Sequence, residues 1–81
     1  MNIEYHLEFY PPNDTSYIIG EYFSNTPFLS MNIGDAIHAS SFNLVDKAKT
    51  LRIKDIQHII WEIEGSHIGH KLCVYTEELE V

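Results

Sequence analysis

The chain has 81 residues, which predicts a single domain, residues 1–81, near the lower size at which a core folds without disulfides or metals. Twelve acidic residues against five lysines and arginines give a net charge of −7. Such a charge repels phosphate backbones and argues against direct nucleic-acid binding. A composition that is 44% hydrophobic indicates a globular fold and argues against a disordered chain.

The expected location follows from cysteine usage and hydropathy. The single cysteine cannot form an internal disulfide, and the sequence shows no signal peptide and no apolar run of about 18 residues. These features predict a cytoplasmic protein that does not enter a membrane. No cofactor is predicted, because the chain has no P-loop, dinucleotide fingerprint, zinc ribbon or metalloprotease motif.

Residues 2–10 are the clearest predicted strand. Every second side chain is apolar, which is the period of a strand that packs one face and exposes the other to water. Pro11 and Pro12 end it, because proline has no N–H group for a strand ladder. Residues 16–23 are a second predicted strand, in which Gly20 allows a bend.

The middle of the chain predicts one further short strand. After a loop at 24–27 and an apolar segment at 28–33, Gly34 and Asp35 form a predicted tight turn, with the Asp35 carboxylate as its cap. A strand at 36–39 is expected to follow. Residues 40–49 are predicted to be a loop that can hold one helical turn, and residues 76–81 a frayed end or a short last strand.

Residues 50–76 are predicted to form one long hairpin that dominates the fold. Apolar residues fill odd positions between 51 and 63 and even positions between 68 and 74, as in two half-buried strands. Asp55 and Gln57 interrupt the odd series, so a β-bulge is expected there.

The connection at Gly65 decides how the two strands of this hairpin are aligned. A three-residue loop would set Ile59 opposite Lys71, whereas a two- or four-residue connection aligns both apolar sets on one face. We therefore predict the second register. It implies the pairs Ile63 with Ile68, Trp61 with His70, Ile59 with Leu72 and His58 with Cys73.

Strand-like segments with short turns recur along the chain, and no segment has a sustained helical period. The fold class predicted is all-β: a small antiparallel β-barrel of the SH3-like or OB-like type, with about five strands, ending in a long hairpin. An amphipathic first strand, a Gly-Asp turn and a long final hairpin give the chain a layout that resembles many short bacterial and phage-borne proteins.

Two places in the hairpin could carry chemistry. His58 opposite Cys73 would pair a base with a nucleophile, but no orienting group or oxyanion hole is visible, so we expect no enzymatic activity. His70 opposite Trp61 would be a histidine stacked on the indole, or a pH-sensitive position. The predicted register separates the histidines of the hairpin by face and by distance, so no metal site is expected.

The function predicted is a non-enzymatic protein-interaction module that binds a protein partner by an aromatic patch or by a free strand edge. Its expected anchors are aromatic residues that flank the turns: Tyr10, Tyr17, Tyr22 and Phe28. The alternative is an acidic inhibitor of phage or mobile-element origin, which would occupy a basic nucleic-acid-binding surface on its target. That hypothesis depends on the C-terminal acidic run of Glu77, Glu78 and Glu80. The edges of an open barrel would also allow a homo-oligomer.

Overall fold

The computed structural model describes residues 2–12, 14–38 and 50–78. These residues form five strands and no helix: β1 (Asn2–Tyr10), β2 (Gly20–Ser24), β3 (Ala36–His38), β4 (Thr50–Ile63) and β5 (His67–Glu78). The strands make one sheet in the order β2-β1-β5-β4-β3, which curls into a half-barrel. The predicted all-β fold with five strands is confirmed, and the sheet forms a half-barrel, which does not identify the SH3-like or OB-like type that was predicted.

The direction of β1 relative to β5 departs from the prediction. These strands run parallel, with Ile3 beside Ile68 and Leu7 beside Leu72, so the sheet is mixed and not antiparallel throughout. On its other side β1 pairs with β2 in the antiparallel direction. Side chains alternate in the same way in parallel and antiparallel strands, so the hydrophobic pattern of β1 contained no information about its direction.

The predicted register of the β4–β5 hairpin is wrong by one residue. The hairpin has the three-residue loop, which sets Ile63 opposite His67 and Ile59 opposite Lys71. The Ser66 N–H donates to the Ile63 carbonyl at 2.9 Å, and Gly65 has a φ of 76° in the same turn. Glycine adopts that left-handed conformation at little steric cost, which stabilises the three-residue loop.

The bulge in β4 explains why the predicted register failed. It lies between Ile53 and Asp55, at the edge of the interval predicted for it. One extra residue there reverses the alternation, so that Ile53 before the bulge and Ile56 after it lie on the same face of the sheet. The odd apolar residues beyond the bulge therefore lie on the opposite face from Leu51 and Ile53.

The segments around β2 and β3 agree in part with their predictions. The second strand begins at Gly20 rather than at residue 16, although the Ile19 N–H already donates to the Phe9 carbonyl at 2.8 Å. Gly34 has a φ of 98°, and the Asp35 carboxylate accepts the Asn32 N–H at 2.8 Å, as expected for the turn before β3. The predicted loop at 40–49 lies outside the described residues.

The hydrophobic core lies on the concave face of the half-barrel. It consists of the buried side chains Leu7, Phe9, Leu51, Ile53 and Val74. Side chains from the loop 25–35 and from β3 pack over it, namely Phe28, Met31 and Ile37. The buried Thr76 hydroxyl donates to the Tyr10 carbonyl at 2.8 Å, so its polar group is satisfied. The core thus occupies the half of the sheet that is remote from the hairpin turn.

Two isoleucines of β4 provide a test of this core. Ile53 is 1% exposed, whereas Ile63 is 49% exposed. Replacing Ile53→Ala should lower the free energy of unfolding by about 2–5 kcal/mol, because it leaves a cavity in the core. The matched change Ile63→Ala should alter it by about 0.5 kcal/mol or less. Urea unfolding of the two variants measures this difference, and equal losses would contradict the assigned core.

Gly69 allows the only tryptophan of the chain to pack on the convex face of the sheet. Gly69 lies opposite Trp61 in the β4–β5 register, and the indole lies directly over it. A methyl group at Gly69 would collide with the indole ring. The absence of a side chain at this position is therefore what allows Trp61 to lie against β5.

The change Gly69→Ala should displace Trp61 towards solvent and lower the thermal midpoint. Because the protein has one tryptophan, its fluorescence reports this position directly. The emission maximum of the native protein should shift to the red, whereas the unfolded proteins should give equal spectra. Ser66→Ala, in the exposed hairpin turn, is the control and should leave the emission unchanged. An unchanged spectrum in Gly69→Ala would show that the ring does not lie over this glycine.

Candidate protein-binding surface

The described residues cover the outer side of β4 along only part of its length. β3 pairs with Thr50, Leu51 and Arg52, and the preceding turn bonds to Ile53. Beyond the bulge, no backbone group among residues 2–12, 14–38 and 50–78 pairs with this side of β4. We call this side of residues 56–63 the β4 edge.

The direction of the backbone groups along the β4 edge follows from Ile53. Its N–H donates to the Asp35 carbonyl at 2.9 Å and its carbonyl accepts the Gly34 N–H at 2.8 Å, while its side chain lies in the core. In a strand of L-residues, the face of the side chain fixes the side to which N–H and C=O point. The even residues beyond the bulge share the face of Ile53, so their N–H and C=O groups point outward along the β4 edge.

Three residues of the β4 edge therefore offer hydrogen-bonding groups to a partner: His58, Ile60 and Glu62. The outward N–H of Ile56 is already used, because it donates to the Asp55 carboxylate at 2.9 Å. An exposed row of strand N–H and C=O groups is the usual template for pairing with another chain.

The β4 edge is apolar and carries few of the features that usually block strand pairing. Ile59, Ile60 and Ile63 are 47%, 68% and 49% exposed. Proteins commonly protect edges with lysine, proline or inward-pointing charge. Residues 56–63 contain no lysine and no proline, and Glu62 is their only acidic residue. The bulge protects only the start of this edge.

A groove on the concave face adjoins the β4 edge. It is a cavity of about 440 Å³ between the loop segment 27–33 and the sheet, a size within the range of binding pockets. Its floor is formed by side chains of three strands: Tyr5, Ile56, His58, His70, Leu72 and Val74. The loop also presents two exposed apolar residues, Leu29 and Ile33, beside the groove.

His58 and His70 form a hydrogen-bonded pair in this groove. His58 Nδ1 and His70 Nε2 are 2.9 Å apart, and the rings are stacked with an interplanar angle of 22°. The predicted partners were wrong, because the three-residue loop sets His58 opposite Leu72 and His70 opposite Ile60. A prediction from the sequence that used the three-residue loop would have placed both imidazoles on one face of the sheet.

Cys73 is on the other face of the sheet from His58. It lies opposite Gln57 and is 2% exposed, so the predicted thiol–imidazole pair does not exist. Burial raises the pKa of the Cys73 thiol, and the nearby Glu8 carboxylate raises it further. Glu8 in turn accepts a hydrogen bond from the Tyr10 hydroxyl at 3.0 Å, and burial raises the pKa of Tyr10 as well.

An aromatic cluster on the convex face was not expected from the sequence. The His6 ring lies 4.9 Å from Phe23 and 5.3 Å from Trp61 between ring centroids. His6 Nε2 is buried without a hydrogen-bond partner, and its nearest carboxylate oxygen, on Glu4, is 3.7 Å away. Strand alternation placed His6 on the solvent-facing side of β1, and only the packing of β2 and β4 shows that this side is covered.

The predicted aromatic anchors lie in different parts of the molecule. Tyr22 and Phe28 line a second concave cavity of about 390 Å³. Tyr10 is half-buried on the convex face, where it stacks on Tyr75 with ring centroids 4.9 Å apart. Tyr17 is exposed in the segment before β2.

The predicted acidic residues do not form one described group. Glu77 accepts a hydrogen bond from the Arg52 guanidinium at 2.9 Å, and Glu78 follows it on the opposite face of β5. Glu80 lies outside the described residues. The sequence did not indicate that it is β4 whose edge the described residues leave uncovered, because that depends on how far β3 extends.

The part of the chain that the structure describes offers neither a metal site nor a membrane-spanning helix. There, no three histidine, cysteine or acidic side chains are grouped as a metal ion would require. No helix among these residues is long and apolar enough to cross a membrane. The described residues thus form a small half-barrel in which β4 has an apolar edge that none of them covers.

Comparisons of the chain with protein families, with curated proteins and with solved structures find no match.

Cys73 should react slowly with thiol reagents in the native protein. Its raised pKa leaves less thiolate than an ordinary cysteine has at pH 8, and its burial excludes the reagent. Labelling kinetics with and without urea should show a native rate at least about 100-fold below the unfolded rate, as expected when reaction requires opening.

The raised pKa of the Cys73 thiol also predicts how the stability of the protein depends on pH. The Cys73 thiol has a higher pKa in the folded state than in the unfolded state. Its contribution to the free energy of unfolding is therefore complete below the pKa of the unfolded state, and it is lost as pH rises through the pKa of the folded state. The free energy of unfolding of the native protein should therefore fall in alkaline solution more steeply than that of Cys73→Ala. Rapid labelling of the native thiol would contradict this account of its environment.

Proposed function

We propose that the protein is a non-enzymatic interaction module that binds an extended segment of a partner protein along the β4 edge. The observation that carries this proposal is the row of outward N–H and C=O groups at His58, Ile60 and Glu62. A partner strand would add to the sheet there, with its main chain supplying most of the hydrogen bonds.

The side chains beside the β4 edge provide the selectivity that a strand partner needs. Alternate residues of an added strand would face the two sides of the sheet. On the concave side they would meet Ile60 and the mouth of the groove at His58. On the convex side they would meet Ile59 and Trp61. An extended segment with apolar residues on both faces fits this surface.

The contacts of the acidic residues favour the interaction module over the acidic inhibitor. An inhibitor of a nucleic-acid-binding protein would present a group of unpaired carboxylates. Glu77 instead binds Arg52, and a Glu8 carboxylate oxygen lies 3.4 Å from the Lys71 ammonium. The absence of enzymatic activity is likewise proposed, and it is supported by the separation of His58 and Cys73 on opposite faces.

The test is capture of partners from a lysate of the native host by three proteins: the original chain, Ile60→Lys and the control Tyr17→Lys. Lysine at Ile60 places a charge in the middle of the β4 edge, whereas Tyr17 is exposed elsewhere with the same change in charge. A partner that survives high salt should be lost from Ile60→Lys by at least tenfold and retained by Tyr17→Lys. Purified partner should also slow amide exchange at His58, Ile60 and Glu62.

Two results would contradict this proposal. One is a partner that Ile60→Lys retains and high salt releases, since screening weakens charge contacts and not apolar strand pairing. The other is a partner that binds without protecting any amide of the β4 edge.

A further inference from the structure

We propose that a second copy of this chain occupies the β4 edge, giving a homodimer in which the two β4 strands pair in antiparallel fashion about Ile60. This inference rests on the proposed function, because it identifies the partner of the same edge. The two half-barrels would then share one continuous sheet.

The amino-acid sequence of the edge is complementary to itself in this register. Ile60 lies opposite Ile60 of the second copy, so the most exposed of the large apolar side chains of β4 is covered by its own equivalent. Ile59 lies opposite Trp61 on the convex side. His58 lies opposite Glu62 on the concave side, which pairs an imidazole with a carboxylate.

The backbone of the edge suits the same register. His58, Ile60 and Glu62 all direct their N–H and C=O groups outward. Centring the pair on Ile60 sets these residues opposite one another, which gives about six hydrogen bonds across the interface. The Ile56 N–H, which is already bonded to Asp55, lies outside this set.

Neighbouring registers are less complementary. Pairing centred on Ile59 would set Gln57 opposite Trp61 and Ile56 opposite Glu62, and so place polar groups against apolar ones. Pairing centred on Trp61 would set Ile60 opposite Glu62. In the alignment about Ile60 the polar–apolar mismatch is confined to the ends of the edge, where Gln57 lies opposite Ile63, and only this alignment of the three places the carboxylate of Glu62 opposite an imidazole.

A twofold pairing also accounts for the lack of protective residues on this edge. Each copy would use its β4 edge to cover that of the other, so the contact closes and cannot propagate into a fibre through the same surface. The remaining described edges are short, since β2 has five residues and β3 three. The β4 edge is the long one and the one that a second copy covers.

Disulfide trapping tests the register directly. In Ile60→Cys the two introduced thiols face each other across the twofold axis, at about 5.5 Å between Cα atoms, within reach of a disulfide. Mild oxidation should convert most of this variant into a covalent dimer. Ile63→Cys is the matched control, because its equivalents would be separated by six residues along the strands, about 20 Å. It should form at least tenfold less covalent dimer.

The original protein and Ile60→Lys provide a second measurement, which does not depend on a disulfide. Sedimentation of the original chain should show a monomer–dimer equilibrium that shifts with concentration, and Ile60→Lys should remain monomeric at concentrations at which the original chain dimerises. Circular dichroism and thermal midpoints of the reduced variants establish that each one is folded. The native Cys73 is buried and serves in all of these proteins as an internal thiol that should not crosslink.

A monomeric original chain at every concentration would overturn the dimer, as would equal crosslinking of Ile60→Cys and Ile63→Cys. Failure of the dimer is distinguishable from failure of the proposed function. If the original chain is monomeric and still loses a captured partner on Ile60→Lys substitution, the edge binds another protein and not a second copy. If both results are negative, strand addition at this edge is wrong altogether.

Discussion

The β-bulge between Ile53 and Asp55 is the constraint on which the rest of the structure depends. It divides β4 into two parts with opposite alternation, and it keeps Leu51, Ile53 and Ile56 on the concave face. Without the extra residue, the second half of β4 would point its even side chains away from the core of the first half. The position of the bulge therefore decides which isoleucines are buried and which remain at the surface.

The two parts of β4 differ in what covers them. Before the bulge, β3 and the turn at Gly34 and Asp35 use the outer backbone groups of the strand. After the bulge, the described residues leave that side unpaired while it carries exposed isoleucines. A strand edge of this composition is unfavourable for an isolated protein, because it invites association. The proposed strand addition would resolve this conflict, and a self-complementary register about Ile60 would resolve it with the chain's own surface.

The convex face shows how an acidic β-protein can bury polar groups without a second sheet. Glu8, Tyr10 and Lys71 form a polar group of contacts around the buried Cys73. Further along the same face, Trp61 lies over Gly69 and against the ring of His6. Side chains of neighbouring strands therefore cover one another, which is why both faces of the hairpin contain apolar residues.

Local features of this fold could be predicted from the sequence, whereas long-range features could not. The bounds of β1, the turn at Gly34 and Asp35 and the neighbourhood of the bulge were all predictable, because proline, glycine and interrupted alternation act within a few residues. The candidate site was not predictable in the same way. Tyr10 and Phe28 were chosen as exposed aromatic anchors and are half-buried, and the β4 edge depends on the length of a strand elsewhere in the chain.

By itself, the sequence determined that the protein is all-β, where its first strand lies and that a long hairpin ends it. Only the tertiary structure decided that β1 runs parallel to β5, that the hairpin has a three-residue loop and that His58 meets His70. The physical reason is that alternation reports the period of a strand but not its neighbour or direction. In this hairpin both faces are partly apolar, so burial favoured neither register strongly, and the turn at Gly65 together with the bulge made the choice.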